Sequence, residues 1–413
     1  MPLIKAFNGY LVKPARATTV VSPAYDSVSA EQRRQFAEAN PDNFINTMRL
    51  QEDFAEDQRP TYEQLLTSNH QQLQQLLDNG SFDELPEPSM FVYQLGSHEH
   101  LQTGIVCEVS VEEYENGHLK KHENTRSSKE DLLARYQEVV GASSSPICLT
   151  YASSAEVDAF INELMQQPPI LDFTTDDGEV QRVWQIKNPT EQQVLQQLFE
   201  AVGDTYLTDG HHRAASGQRY AELMRRKNGN NDSNAPHNQL LVALFPDNQL
   251  NLLPFHRCVK DLNGLTLEQL IEALDSRFNV EAMDDHCVFQ PQAHGQFGMC
   301  VANRWFKLTH RKAEEHATSP VNSLDVSILQ NDILDPILGI KDMRDDSRLG
   351  YIAGVSGDSG IAQTCSEGWE VVFTCYATSI QQLMDVADAN ALMPPKSTYF
   401  DPKPRSGIFV RLK

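Results

Sequence analysis

The chain has 413 residues, too many for one ordinary hydrophobic core, and reads as two domains, with room for one to interrupt the other. Its net charge of −23 and lack of a long Lys/Arg run exclude a general nucleic-acid binder, because phosphate backbones need a basic face. No stretch approaches the roughly 20 apolar residues of a membrane helix. Seven scattered cysteines, odd in number and without a C-x-x-C pair, argue against a disulfide framework, so a reducing, cytoplasmic protein without nucleic-acid or membrane partners is expected.

In chain order, Val21-Ser22-Pro23-Ala24-Tyr25-Asp26 reads as a Pro-containing turn feeding a helix over 30–40. Tyr25 and Asp26 are candidates to line a pocket; turn formation and helix capping are the plain alternative. Leucines at 65, 66, 73, 76 and 77 predict a packed helix. Strands are predicted over 90–95 and 104–111. A turn at Asn116-Gly117 then leads into a short polar strand carrying Lys120, Lys121, His122 and Glu123 and ending near Arg126. On an extended segment Lys121 and Glu123 share one side, which places an ammonium and a carboxylate in one cleft. Lysine neutralises phosphate, and a glutamate within hydrogen-bond reach can deprotonate a hydroxyl. The competing reading is an exposed hairpin strand with ordinary salt bridges. A helix over 128–140, a strand over 147–151 and helices over 154–166 and 190–202 follow.

The most informative segment comes next: strand-like Thr205-Tyr206-Leu207 runs into Asp209-Gly210-His211-His212-Arg213 and out into a helix over 212–227. Free amides at a helix start, the positive end of its dipole and an arginine in the first turn favour an oxygen-rich anion such as phosphate. The alternative is a helix capped by Asp209 with histidines on the surface. A histidine metal site is disfavoured, because His118 and His122 converge only on a helix and adjacent histidines diverge. A carboxylate-held Mg²⁺ at Asp209, bound with nucleotide, fits more easily.

Residues 225–239 read as a polar surface loop and 240–245 as a strand. A domain change is expected near 259–264, giving a first region of 1–260 and a C-terminal α+β domain of 261–413 that completes the cleft. Helices over 266–276, 324–334 and 379–389 and strands over 351–354 and 370–375 are predicted there. Near the end, Met393-Pro394-Pro395-Lys396-Ser397-Thr398 lacks P-loop glycines but presents Lys396 rigidly, as an anion contact. Neither G-x-S-x-G nor G-x-G-x-x-G occurs, which lowers serine hydrolases and dinucleotide enzymes. The mixture of elements is α/β or α+β.

Several of these motifs, in this order, resemble the family called domain of unknown function 1015. The marks are Pro23-Ala24-Tyr25-Asp26, Tyr114-Glu115-Asn116-Gly117 with Lys121-His122-Glu123 and Thr125-Arg126, Thr208-Asp209-Gly210-His211-His212-Arg213, Ser323-Leu324-Asp325, and Met393-Pro394-Pro395-Lys396-Ser397-Thr398. Ala24 departs from it, standing where a second proline is common. The Asp-Gly-His-His-Arg element also resembles the phosphate motif of the ParB/sulfiredoxin superfamily, including free-serine kinases. That resemblance implies a ParB/sulfiredoxin-like nucleotide-binding core, with ATP or ADP phosphates at Gly210, His211, His212 and Arg213. It maps a hydroxyl-activating glutamate onto His122-Glu123, and similarity to proteins encoded beside serine-biosynthesis genes favours serine or phosphoserine. The expected protein is a nucleotide-dependent phosphotransferase, a free L-serine kinase. Glu123 serves as base, with His122, Lys121 and Asp209 beside it; Asp209 also serves a Mg²⁺, and Tyr25, Asp26, Arg126 and Lys396 contact substrate. A phosphoserine-type phosphatase and a non-catalytic nucleotide- or metabolite-binding switch stand as alternatives, and a homodimer is compatible with either.

Overall fold

The computed structural model describes residues 4–25, 28–229, 232–283, 287–312 and 319–413. It is a mixed α+β protein. Two compact units emerge, residues 1–250 with 402–413, and residues 251–401. The division therefore falls before the strand Phe255–Val259 rather than after it, because that strand pairs with Leu349–Ala353 and Val371–Cys375 of the second unit. The tail returns to the first unit because Phe409–Leu412 pairs with Tyr10–Val12 and Ala142–Ser143.

The first unit is built on a nine-stranded sheet. Its order is Leu119–Lys120, Thr205–Asp209, Ile147–Tyr151, Gln239–Pro246, Leu101–Ser110, Met90–Gly96, Val180–Ile186 and Leu171–Thr174, with Ile4–Lys5 pairing Leu101–Ser110 besides. Alternation of side chains explains why its central strands are apolar throughout. Phe91, Tyr93, Leu241, Ala243 and Phe245 pack into a core with Phe409 and Val410 of the tail. Their neighbours Met90, Val92, Leu240, Val242 and Leu244 face a second core with Val157, Ile161, Leu195 and Phe199. A sheet covered on both faces needs continuous hydrophobic runs, and the predicted strands have them.

The second unit carries a six-stranded antiparallel sheet, in the order Phe278–Ala282, Arg304–His310, Gln296–Val301, Val371–Cys375, Phe255–Val259 and Leu349–Ala353. Its helices Leu267–Asp275 and Ile380–Asp388 begin with capping boxes at Thr266 and Ser379, the start signals legible in the sequence. The helix predicted over 324–334 is Asp325–Leu329 continued by a π turn, Gln330–Leu334. Among the described residues, no helix is long and apolar enough to cross a membrane.

Candidate functional site

The corner at 209–213 is made by three local events. Pairing of Thr205–Asp209 with Ile147–Tyr151 slips between Leu207 and Asp209, a β-bulge that re-aims the end of the strand. Gly210 then turns the chain at φ +94°, a left-handed value that glycine adopts without steric cost. A Cβ there would lie 2.9 Å from Arg213 Nε, so the glycine also lets the guanidinium fold back over the turn. The helix His211–Asn228 starts at once with Gly210 as N-cap, and no side chain caps it, so Asp209 is not the cap. Its first-turn amides have no carbonyl within the helix.

Asp209 and Arg213 instead pair with each other, one turn apart. Arg213 Nη1 also donates to the carbonyls of Ser145 and Pro146 at 2.9 and 2.8 Å. These bonds commit three of the five guanidinium donors to the protein. The second Asp209 oxygen accepts from Lys403 Nζ at 3.0 Å. Burial pushes the Asp209 carboxyl up, but Lys403 and Arg213 together outweigh it and hold the pKa at about 2. A carboxylate answered by two cations does not fit a divalent metal. Nor, among the described residues, do three or more His, Cys, Asp or Glu side chains gather to hold one.

The second predicted segment docks onto this turn. Leu119–Lys120 pairs in parallel with Thr205–Tyr206, and there the strand ends. Residues 121–126 join no ladder and form no strand, contrary to the expectation. The His122 amide donates to His211 Nε2 at 3.5 Å, the two rings meet edge to face at 4.5 Å, and the Arg126 amide donates to His212 Nε2 at 3.1 Å. Glu123 Oε2 lies 3.8 Å from His211 Nδ1, longer than a hydrogen bond. His211 accepts at Nε2, so its proton sits on Nδ1, facing Glu123.

Burial keeps these imidazoles neutral. It drives His211 down to about 4, opposed by Asp209 and assisted by His212, Lys121 and Arg213. It pushes His122 well below the ordinary value, with His211 adding to it and the Leu207 backbone opposing. Neither His122 ring nitrogen has a hydrogen bond of full geometry, so the Leu207 backbone acts from longer range. His212 is lowered by burial and then by Lys129, with Glu130 opposing. Of the turn's two histidines, His211 is buried and His212 half-buried, where the plainer reading put both on the surface.

The helix Ser127–Val140 braces the loop from behind. Thr125 donates to Glu130 at 2.5 Å, Glu130 accepts from Arg219 Nε at 2.5 Å, and Gln137 donates to Ser216 at 3.1 Å. Sequence reasoning missed Glu130 and Lys403. Glu130 looks like any first-turn acid, and Lys403 stands 194 positions beyond Asp209 in no motif.

The remaining predicted residues lie as follows. Lys121 is exposed, its ammonium 5.9 Å from the Tyr114 ring, and the Arg126 side chain is exposed. The Tyr25 hydroxyl donates to Asp53 at 2.5 Å and its ring lies under Arg33 at 4.2 Å, which commits it to a separate buried cluster. Burial, then the Asp53 hydrogen bond, raises its pKa well above the phenol range. Asp26 lies outside the described residues. Lys396 belongs to the second unit, at φ +55° with its ammonium 5.0 Å from the Phe255 ring.

The family model described as "Protein of unknown function (DUF1015)" matches residues 4–327. The chain belongs to this family. Among curated proteins, none matches this DUF1015 member. Solved structures similar to it include a free serine kinase in complex with AMP, at 12% identity and TM-score 0.37, covering 75% of this chain and 91% of that one. Another is a conserved hypothetical protein from Pyrococcus furiosus, at 12% identity and TM-score 0.35, covering 75% and 95%. A third is SbnI with C-terminal truncation from Staphylococcus aureus, at 12% identity and TM-score 0.37, covering 75% and 86%.

Proposed function

We propose that this protein is a nucleotide-dependent phosphotransferase acting on a small hydroxyl amino acid, with L-serine the first substrate to test. The observation that carries the reading is the junction of Glu123 with neutral, buried His211 at 3.8 Å, on the first turn of a helix that begins at Gly210. The first-turn amides and the uncommitted Arg213 donors are the groups to hold the phosphates of ATP or ADP, in the manner the local ParB/sulfiredoxin-like motif implies. Glu123 is the base: it takes the hydroxyl proton, the hydroxyl oxygen attacks the terminal phosphorus, and the bond to the bridging oxygen breaks. The Nδ1–H of His211 orients the Glu123 carboxylate, and Lys121 offsets charge at the same mouth. Asp209 serves through Arg213 and Lys403 as a positioning residue rather than as a metal ligand.

The test incubates purified full-length protein with ATP or ADP, Mg²⁺ and a panel of hydroxyl amino acids, with phosphorylated product read by mass. Nucleotide-dependent phosphoserine is the expected result. Phosphate released from phosphoserine without nucleotide would make the protein a phosphatase. Tight nucleotide binding with no product from either donor would make it a switch.

A further inference from the structure

Among the described residues Arg257 is the largest side chain with essentially no exposure, and it sits at the centre of the strand Phe255–Val259, between Val371–Cys375 and the edge strand Leu349–Ala353. An arginine stays charged in a protein, so it is a permanent buried cation. Its partners are all uncharged. Nη1 donates to the Phe255 carbonyl at 2.8 Å, Nη2 to the Pro395 carbonyl at 3.2 Å, and the guanidinium stacks on Tyr351 at 4.8 Å. Its Nε is buried with no acceptor. Among the described residues no carboxylate pairs with it; the acidic groups that face it are the weak acids Cys375, Tyr351 and Cys258, and its neighbour His256 is kept neutral by burial. A buried charge without a countercharge is costly, and such a group is retained where something else supplies the opposite sign.

A second cation, Lys396, directly follows the Pro395 whose carbonyl Arg257 binds. Phe255 and Arg257 project to the same sheet face, two residues apart, and the Lys396 ammonium rests over the Phe255 ring at 5.0 Å. Lys396 forms no ion pair with a described residue, and its backbone holds φ +55°, an unfavourable setting for a lysine. The segment presenting it is fixed on either side: Ser397 donates to the Pro394 carbonyl at 2.6 Å and Thr378 to the Ser397 carbonyl at 3.1 Å. What covers the guanidinium is thus the Pro395 carbonyl, held by the longer of its two hydrogen bonds.

We infer that Arg257 and Lys396 form an oxyanion site in the second unit, taking the phosphate or carboxylate group of a small metabolite where the Pro395 carbonyl now lies. An anionic oxygen there replaces a dipole with a full countercharge, satisfies Nε, and draws in the Lys396 ammonium. The inference does not rest on the phosphotransferase reading, since it uses none of the residues at the 209–213 turn or the 121–126 segment.

Hydrogen–deuterium exchange of the full-length protein tests it, with inorganic phosphate or acetate added at constant ionic strength against chloride. One of the two anions should slow exchange of the Met393–Thr398 segment at least threefold, phosphate marking a phosphoester ligand and acetate a carboxylate. Lys396→Met, a surface change that leaves folding intact, should raise the anion concentration needed by at least tenfold. Arg257→Met should abolish the response if it folds, and Lys396→Met decides if it does not. Unchanged exchange with both anions, or a full response in Lys396→Met, overturns the site.

Discussion

At the scale of single residues, the turn at 209–213 is a place where backbone conformation and charge are solved together. Gly210 supplies a left-handed φ and leaves room for Arg213. Gly210→Ala is expected to cost about 1–2 kcal/mol through the φ penalty and the clash with the guanidinium, and to weaken nucleotide binding; a denaturant melt and a nucleotide titration check it. Glu123→Gln keeps the shape but removes the base. Turnover is expected to fall about 10²–10⁴-fold while nucleotide affinity stays near wild type, read as kcat against Kd; unchanged turnover removes Glu123 from the mechanism. The residues of this corner were legible because polar groups so dense at a strand-to-helix junction fit no packing role. The inward turn of Arg213 was not, since its partners at Ser145 and Pro146 are carbonyls that any residue could have offered.

At the scale of elements, the active geometry proposed here depends on how the irregular segment 121–126 is held between two helices. The alternation of Lys120, Lys121, His122 and Glu123 reads as a strand, yet only Leu119–Lys120 finds a ladder. Beyond it, imidazole acceptors on the His211–Asn228 helix replace strand partners, a substitution invisible to periodicity. Glu130 carries the load from the other helix by binding Thr125 and Arg219. Glu130→Ala is expected to leave the fold intact while lowering kcat about 10–100-fold, because a displaced loop misplaces Glu123; rescue by Glu130→Asp would separate positioning from a general loss of structure. Helices were read well, since caps and apolar spacing are local signals: 128–140 became Ser127–Val140 and 190–202 became Pro189–Val202.

At the scale of the whole molecule, the tail is the unexpected structural member. Ile408, Phe409 and Val410 are buried in the first unit's core, Arg411 pairs with buried Glu108, and Lys403 answers Asp209. Deleting residues 402–413 is therefore expected to prevent the first unit from folding, seen as loss of its cooperative melt. Acid should act on the same unit. Because burial depresses His211 to about 4 and pushes His122 well below its ordinary value, the unfolded chain takes up protons between pH 6.5 and 4 that the folded chain does not. Stability is then fully present above about pH 6.5 and falls as pH drops through that window, by about 2 kcal/mol from His211 alone at pH 5. Asp209, held at about 2, adds a further loss below its ordinary value. Urea midpoints at pH 7.5 and 5 measure the first effect; equal midpoints would contradict it.

Taken as a linear text, the chain determined its own helices, its doubly buried strands and the two polar clusters around His122 and His211, because those are written in spacing, caps and residue type over a few turns. Only the tertiary structure decided that the two clusters meet, that Lys403 joins Arg213 in answering Asp209, that the tail belongs to the first unit, and that Arg257 is sealed with no acid among the described residues. Each of those is a contact between residues far apart in the chain, set by sheet order and burial, for which no local pattern exists.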